Sequence, residues 1–490
     1  MRAAFISVGN KHGLIEVANA LVQYGIKLLG SKGTADFLAA HGFSILSTED
    51  YIQMPPMLEG RVKTLHPGIF GGILADRNNP KHMNELRQWN VYPIDFVIVD
   101  LYPFSSNQDI EHIDIGGVAL IRAAAKNHAY CTAISDRNDY VKLIDELQEQ
   151  KGETRLLFRQ KMAASAFDKS SRYDAEIKAW CSQEEMRPLP LQKTVPLSYG
   201  ENPHQQADFY NLAGEAPNFT LLQGRPLTYN NLLDLDAGIR LISEFDETAA
   251  AVIKHANPCG VALGISSMEA VAGAFHADEK SAFGGIVALN RTLDEETAVF
   301  LKPYFIEMVA APDYTREAFA ILSQKPKCRV VRFIKDQPTF ELRTALNGFL
   351  LQTTDKKELV LHEMAIPTLK QPDEQLYADL QFAFKVVRHM KSNAIVIAKN
   401  GVTKAMGVGQ ANRVDAVTQA LYRAGTLDLQ NAVLASDGFF PFADSIRLIA
   451  KTPIKTIIQP GGSRMDRAVI EACNDAQISM VMTGVRAFRH

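Results

Sequence analysis

Residues 3–41 read AAFISVGNKHGLIEVANALVQYGIKLLGSKGTADFLAAH, and the fold is decided here. Ala3–Val8 is a short apolar run of strand type. Leu14–Tyr24 follows at helical spacing, with Leu14, Val17, Ala18, Leu21 and Val22 on one face. Ile26–Leu29 is a second strand, and Thr34–His41 a second helix with Thr34 as its N-cap. The rhythm continues with strands at Phe96–Leu101 and Cys131–Ser135 and helices at Val118–Lys126 and Tyr140–Gln148. Such alternation predicts a doubly wound α/β domain on a mostly parallel sheet. Its ligands belong at the carboxyl ends of the strands.

Glu153–Ala179 extends this half as a helix. Arg187-Pro188-Leu189-Pro190 and Pro196 then form a turn-biased segment that places a domain boundary near residue 190. Beyond it a second α/β rhythm has strands at Ala250–Lys254, Gly285–Leu289, Arg329–Phe333, Ala394–Ala398, Ala432–Ala435, Thr456–Ile458 and Ser479–Met482. The expected organisation is domains 1–190 and 191–490, the second in sub-domains 191–364 and 365–490. No internal repeat of roughly 20–50 residues is visible.

Among the 490 residues, 52 Lys+Arg face 55 Asp+Glu, a net charge of −3. That excludes a nucleic-acid binder working through a global positive field. Cys131, Cys181, Cys259, Cys328 and Cys473 have no paired spacing, which fits a reducing compartment. The start MRAAFISVGNKHG lacks the apolar core of a signal peptide, and no apolar run approaches the ~18 residues of a membrane helix. The expectation is a cytoplasmic protein with neither membrane nor nucleic acid as partner.

Several loops concentrate chemistry. Ser31-Lys32-Gly33-Thr34 joins a strand to a helix and reads either as a phosphate cradle, with Ser7–Lys11 as its other wall, or as an ordinary capped loop. Gly60-Arg61-Val62-Lys63-Thr64-Leu65-His66-Pro67 is an anion-binding loop or a solvated basic one. Leu101-Tyr102-Pro103-Phe104 sets Tyr102 at the ligand edge of the sheet, for packing or for chemistry. Ile113-Asp114-Ile115-Gly116-Gly117 opens the helix that ends at Lys126. There Asp114 reads as a functional acid or an N-cap, and Lys126 as a functional cation or a dipole partner.

Lys254-His255 at a strand end offers a tunable base beside a cation, or a structural histidine. Pro258-Cys259 suggests a zinc deaminase, but position 262 is Ala and no His is followed two residues later by Glu, so that chemistry is rejected. Ser436-Asp437-Gly438-Phe439-Phe440-Pro441-Phe442-Ala443-Asp444 suits a flat purine or pteridine ring, or a hydrophobic staple. The tail Arg486–His490 is either tied into a site or frayed.

These motifs occur in one order together with Tyr199-Gly200-Glu201-Asn202-Pro203-His204-Gln205, Ser281-Ala282-Phe283-Gly284-Gly285, Lys391-Ser392-Asn393-Ala394-Ile395 and Ile458-Gln459-Pro460-Gly461-Gly462-Ser463. The whole set resembles the bifunctional purine-biosynthesis enzymes that are AICAR transformylase and IMP cyclohydrolase. The resemblance implies a methylglyoxal-synthase-like N-terminal domain and a transformylase of two cytidine-deaminase-like α/β sub-domains without zinc. It further implies a homodimer, 10-formyltetrahydrofolate as formyl donor, AICAR and formyl-AICAR as substrates, and no required metal. A non-catalytic nucleotide sensor and a one-activity enzyme are the rival classes. Retention of both sets of candidate catalytic residues argues for catalysis.

By resemblance, Lys254 and His255 are the catalytic pair and Asn393 holds the formyl oxygen. Tyr199, His204, Asn231, Arg413, Arg486 and Phe488 bind AICAR, while Phe283, Gly284, Asp313, Phe439 and Asp444 lie near AICAR or folate. For the cyclohydrolase, Lys63, Thr64, Tyr102, Asp114 and Lys126 form the catalytic group. Ser7, Lys11, Ser31, Lys32, Gly33 and Thr34 cradle phosphate, and Arg61 joins the substrate set. The chain departs from the family pattern at Gly9-Asn10 (Ser-Asp in the family), Lys32 (Gly) and Ser198 (Arg).

Overall fold

The first strand sets the architecture of the N-terminal half by burying both of its faces. Ala3 and Phe5 enter one core, with Val97, Val99, Leu120, Ile121 and Tyr173. Ala4 and Ile6 enter another, with Leu14, Val17, Leu21, Phe96 and Leu143. A strand apolar on both faces needs helices on both, which is the doubly wound arrangement. Strands β1 (Ala3–Ser7), β2 (Lys27–Gly30), β3 (Ile45–Ser47), β4 (Ile94–Val99) and β5 (Thr132–Ile134) form one sheet in the order β3-β2-β1-β4-β5. Every pairing in it is parallel. Ser7, Ser31 and Asp100 therefore stand at one edge, at the carboxyl ends of β1, β2 and β4.

The structure is a computed structural model that describes residues 2–490 apart from 56, 59–60, 102–103, 105–107, 183–190, 213–214, 337 and 361–362. Tyr102 and the Pro-rich stretch 187–190 lie outside the described residues. The chain forms two compact units, Met1–Leu189 and Pro190–His490.

The second unit carries hairpin β6 (Leu191–Pro196)–β7 (Asp208–Leu212), strand β8 (Phe219–Gln223), and hairpin β14 (Phe340–Ala345)–β15 (Gly348–Thr353). Its main sheet adds β9 (Thr248–Lys254), β10 (Asn257–Gly264), β11 (Ile286–Leu289), β12 (Met308–Ala311), β13 (Arg329–Phe333), β16 (Ile395–Lys399), β17 (Val402–Gly407), β18 (Val433–Ser436), β19 (Thr456–Gln459) and β20 (Ser479–Met482). These run as eleven strands in the order β20-β19-β18-β16-β17-β10-β9-β11-β12-β13-β8.

The order contains a duplication. In each half a hairpin (β9–β10, β16–β17) is followed by a strand antiparallel to its first member (β11, β18) and then by two parallel strands. The halves meet at β10–β17, where Ala262 pairs with Val402 in antiparallel sense. They form one continuous sheet related by a pseudo-twofold. The Tyr229–Ile242 and Tyr377–Val387 helices cover one face through Leu235, Leu241, Leu380 and Phe384.

The antiparallel junction puts the end of β9 and the starts of β11 and β16 at one sheet edge, with the ends of β18, β19 and β20. Loops 254–257, 283–285, 391–394, 437–439 and 483–488 thus come to a common rim.

Candidate active sites

In the first unit the rim closes on a cluster of hydroxyls. Ser7 Oγ donates to Ser31 Oγ at 3.0 Å, and Ser31 lies 3.3 Å from Thr34 Oγ1. Thr34 Oγ1 also accepts from the Val8 N–H (3.2 Å) and from Lys11 Nζ (2.9 Å). Thr34 is buried here as a bridging hydroxyl rather than as the N-cap expected from sequence; the N-cap of the Lys32–Ala40 helix is Ser31. A Cβ on Gly33 would meet open space, so the glycine leaves room beside the helix start instead of forcing a turn. Free N–H groups, hydroxyls and a cation around that space suit an oxyanion. Lys32 points elsewhere, exposed and paired with Asp36 at 3.4 Å.

Asp100 went unassigned in the sequence, yet its carboxylate organises this rim by accepting the Gly9 and Asn10 N–H groups at 2.6 and 3.0 Å. Burial lowers the Lys11 ammonium pKa, with the Asp100 charge working against it.

Thr64 and Asp114 converge on the start of the Gly116–Lys126 helix. A Cβ on Gly116 would lie 2.5 Å from Thr64 Oγ1, and one on Gly117 2.3 Å from Asp114 Oδ2, so both glycines are required. Asp114 accepts the Gly117 N–H at 2.7 Å while its own N–H donates to Tyr173 Oη at 2.6 Å. It is thus an N-terminal cap as well as a buried acid. Burial raises its carboxyl, the Gly117 N–H lowers it, and the Asp100 charge raises it again. Asp100→Asn is therefore expected to move the Asp114 limb of the ring-closure pH–rate profile to lower pH. An unmoved limb would show that another group titrates there.

Arg61 and Lys63 are exposed, and Arg61 is paired with Glu111. Lys126 stands at the far end of the same helix, about 15 Å along its axis from Gly116. One chain does not bring Lys126 to Asp114.

In the second unit the decisive element is the β9–β10 turn. His255 and Ala256 have φ 55° and 56°, between the paired residues Lys254 and Asn257. Two consecutive left-handed residues make a tight hairpin turn that favours Asn-Gly, and a side chain there costs about 1–2 kcal/mol. The turn is clamped by Asp234, which accepts the Ala256 N–H at 2.5 Å. Burial pushes the Asp234 carboxyl up, and the Ala256 N–H and the His255 charge pull it back.

The duplicated half supplies a control. Its β16–β17 turn is Asn400-Gly401, φ 54° and 66°, clamped by Asp379 accepting both N–H groups at 2.8 and 2.7 Å. The second copy uses the favoured residues; the first carries a strained, exposed histidine beside a lysine. Backbone strain concentrated in one of two equivalent turns makes that turn a candidate functional position.

Lys254 Nζ donates to the carbonyls of Phe283 (2.9 Å) and Ser281 (3.4 Å), leaving its third N–H to act on a ligand. Asn257 joins the turn to the next loop by accepting the Lys391 N–H at 3.1 Å. Two residues on, Asn393 Oδ1 accepts from Arg413 Nη2 at 2.8 Å, and its amide donates to Gln410 O at 2.9 Å. Arg413 also donates to Ala394 O (2.9 Å) and to Asp437, yet its buried Nε has no partner. Asp437, one of the two carboxylates expected to face a ring, is instead fully buried and structural.

Gly438 admits this packing, since a Cβ there would lie 2.5 Å from both Arg413 Nη2 and the Phe488 ring. The tail is therefore built in. Arg486 lies 4.6 Å from the Phe488 centroid, and the Ala487 N–H donates to Asp437 O at 2.9 Å. Phe283, Phe439 and Phe488 are exposed aromatics on this rim. Gly284, at φ 71°, follows Phe283. Asp444 opens the Asp444–Ile449 helix, its carboxylate accepting the Ser445 N–H.

Tyr199 O accepts the Tyr229 N–H at 3.2 Å, which ties the exposed 201–205 turn and His204 to the helix carrying Asn231. Asn231 forms a capping box with Thr228 and reaches Glu307 Oε1 at 3.4 Å. Glu307, ion-paired to Arg329 at 2.6 Å, sits just before β12 on the site rim. Asp313 follows β12 at the opposite edge, whereas Glu307, just before β12, lies on this rim. Only its position before a parallel strand, invisible in composition, distinguished it.

Two rims, each combining hydroxyls or cations with a carboxyl or imidazole, make two candidate sites, the arrangement of a two-activity enzyme. Comparisons with known proteins agree. A family model described as AICARFT/IMPCHase bienzyme matches residues 124–423, and an MGS-like domain matches 13–131. Proteins named bifunctional purine biosynthesis protein PurH are similar along the full length of both chains. That of Persephonella marina is 42% identical over 516 residues, covering 100% of each chain. Those of Rippkaea orientalis and Synechocystis sp. are each 44% identical, over 515 and 511 residues, again with 100% of each chain covered. The chain belongs to the AICARFT/IMPCHase bienzyme family of purine biosynthesis, which joins AICAR formyltransferase and IMP cyclohydrolase activities.

Proposed function

We propose that the second unit transfers the formyl group of 10-formyltetrahydrofolate to the 5-amino group of AICAR, and that the first unit closes formyl-AICAR to IMP. The contrast between the His255-Ala256 and Asn400-Gly401 turns carries this reading. His255 takes the amine proton as the nitrogen attacks the formyl carbon, and Lys254 with the Asn393 amide stabilises the oxyanion. The intermediate collapses by breaking the bond to folate N10, which leaves with a proton. Arg413, Arg486, Phe439 and Phe488 hold the purine precursor.

In the cyclohydrolase the carboxamide nitrogen attacks the formyl carbon and water leaves. Orientation by the Ser7, Ser31, Thr34 and Lys11 cradle, proton transfer at Asp114, and help from Thr64 and Lys63 supply that step. Tyr102 is assigned here by resemblance. Lys126 acts on this rim only if a second copy presents it, which accords with a homodimer. The enzyme works in the cytoplasm on small molecules, without a required metal.

A two-part assay tests the reading: AICAR with 10-formyltetrahydrofolate, then isolated formyl-AICAR. A fragment of residues 1–190 is expected to close formyl-AICAR without residues 191–490. A fragment that melts cooperatively yet is inert refutes the division of labour.

Ser198 bears on affinity. Its N–H donates to Leu227 O at 2.9 Å, and its neutral hydroxyl stands where the family places an Arg. Lys193 is engaged with Asp208 at 2.7 Å, so it supplies no substitute cation. Ser198→Arg is expected to lower the KM for AICAR about tenfold, since a charge-assisted contact is worth roughly 1.5–3 kcal/mol. Steady-state kinetics check it; an unchanged KM would show that a cation such as the exposed Arg225 already serves.

A further inference from the structure

The C-terminal tail alternates in exposure. Arg486, Phe488 and His490 are exposed, whereas Ala487 is buried and Arg489 half-buried. The Arg489 carbonyl accepts the Ser392 N–H at 2.9 Å, and its own N–H donates to Ser392 Oγ at 3.1 Å. Its side chain makes a further, separate attachment. Arg489 Nη1 lies 3.1 Å from His389 Nδ1, and His389 Nε2 lies 3.0 Å from Glu244 Oε1. The His389 and Glu244 side chains keep only 11% and 19% of their surface, so little water competes for these bonds.

The two partners decide the state of the histidine. A guanidinium only donates and a carboxylate only accepts, so Nδ1 carries the lone pair and Nε2 the hydrogen of a neutral ring. Burial pulls the His389 pKa below the usual imidazole value; Glu244 opposes this, while Arg489 and Arg388 add to it. Burial opposes the Glu244 charge, yet His389, Arg388 and Lys385 outweigh it and hold that carboxyl below its usual value. The charges next in line are Asp236, Arg240 and Glu341 around Arg489, and Asp355, 3.2 Å from Arg388.

We propose that Glu244, His389 and Arg489 are positioning residues for formyl transfer: joined through one imidazole, they fix the tail so that Arg486 and Phe488 meet AICAR. The proposal rests on the formyl-transfer reading above, in which those two residues hold the purine precursor. A proton added at Nδ1 turns the acceptor into a donor facing Arg489 and sets two cations side by side, which releases the tail. AICAR binding is therefore full while His389 is neutral, and it falls as the pH drops through the His389 pKa, on the acid side of the ordinary imidazole range.

The test is steady-state transfer kinetics between about pH 5 and 8 on the full-length enzyme and on His389→Leu, His389→Gln and Arg489→Met. His389→Leu is expected to raise the KM for AICAR about tenfold, with kcat nearly unchanged and closure of formyl-AICAR untouched. A Gln amide donates to Glu244 and accepts from Arg489, so His389→Gln should keep the wild-type KM at neutral pH and flatten its rise in acid. The AICAR phosphate and His255 titrate in both proteins, so the difference between the two profiles reports His389. Arg489→Met breaks the same contact from the half-buried end, should repeat the KM effect even where His389→Leu fails to fold, and should be made no worse by adding His389→Leu. Parallel acid profiles of wild type and His389→Gln, or an unmoved KM for AICAR in Arg489→Met, overturn the proposal. So does a His389→Gln enzyme as impaired as His389→Leu, which would assign the ring to packing alone. Calorimetric titration of Arg486→Ala with AICAR separates the two readings. Wild-type affinity there would remove the tail from the AICAR site; weak binding there beside normal binding in the His389 and Arg489 variants would overturn the positioning role alone.

Discussion

Lys254→Ala and His255→Ala are each expected to abolish formyl transfer while leaving closure of formyl-AICAR at its wild-type rate. General-base help contributes roughly 10²–10⁴ in rate, and one oxyanion donor about 10²–10³. His255 is exposed on a turn clamped by Asp234, so trimming its side chain opens no core cavity, and the Ala keeps the Cβ that the left-handed backbone already accommodates. Lys254 makes only two contacts to carbonyls, at 2.9 and 3.4 Å, and its loss should cost little stability. A large drop in turnover with an unchanged melting curve therefore reports chemistry. Transfer reduced less than about tenfold in both variants would move the chemistry off this turn.

The second large effect is on stability. Arg413 and Asp437 form an ion pair with side-chain exposures of 4% and 0%. Asp437 also accepts the Ala394 N–H at 3.0 Å and the Ser392 hydroxyl. Asp437→Ala leaves a buried guanidinium uncompensated, a loss of about 3–5 kcal/mol. For a unit of this size that lowers its melting temperature by roughly 10 °C.

The duplicated half again provides a reference. There Asn290 holds the equivalent place, accepting the Ala249 N–H at 2.9 Å and donating its amide to backbone carbonyls. The neutral amide suffices where no arginine is present. Asp437→Asn should therefore be milder than Asp437→Ala in thermal melting, yet still weaken AICAR binding by loosening Arg413. An Ala variant as stable as wild type would show that Arg413 finds another partner.

What the sequence revealed follows from where periodicity is strong. Four of the five strands of the first unit's parallel sheet were legible because they are apolar on both faces, while the edge strand β3, which is not buried, was missed. In the second unit β13 and β20 were read at their observed bounds, but β10, β12 and β17 were not. Asn257-Pro258-Cys259-Gly260 reads as a loop because Pro and Gly break strand patterns, and in the sheet that segment carries a register shift between Pro258 and Gly260.

Without β10 and β17 the duplication, implied by the resemblance as two like sub-domains, did not show in the strand pattern, and the comparison of the two turns was out of reach. The local motifs around Lys254 and Thr34 offered candidate chemistry beside a structural alternative, and Asn393 was named only through the resemblance. Asp100, Glu307 and the buried role of Asp437 were not, because each depends on contacts across the sheet that local spacing does not record.

The junction at β10–β17 has a consequence for synthesis of the chain. Val261 and Thr403 are hydrogen-bonded across 142 residues of sequence. As the polypeptide leaves the ribosome, the β9–β10 hairpin is made long before the strand that covers it. During that interval β10 is an open edge with unpaired N–H and C=O groups, a template for pairing with a neighbouring nascent chain. The seam closes only once residue 403 has emerged, so the first copy of the duplicated sheet stands half-made while the second is still being synthesised.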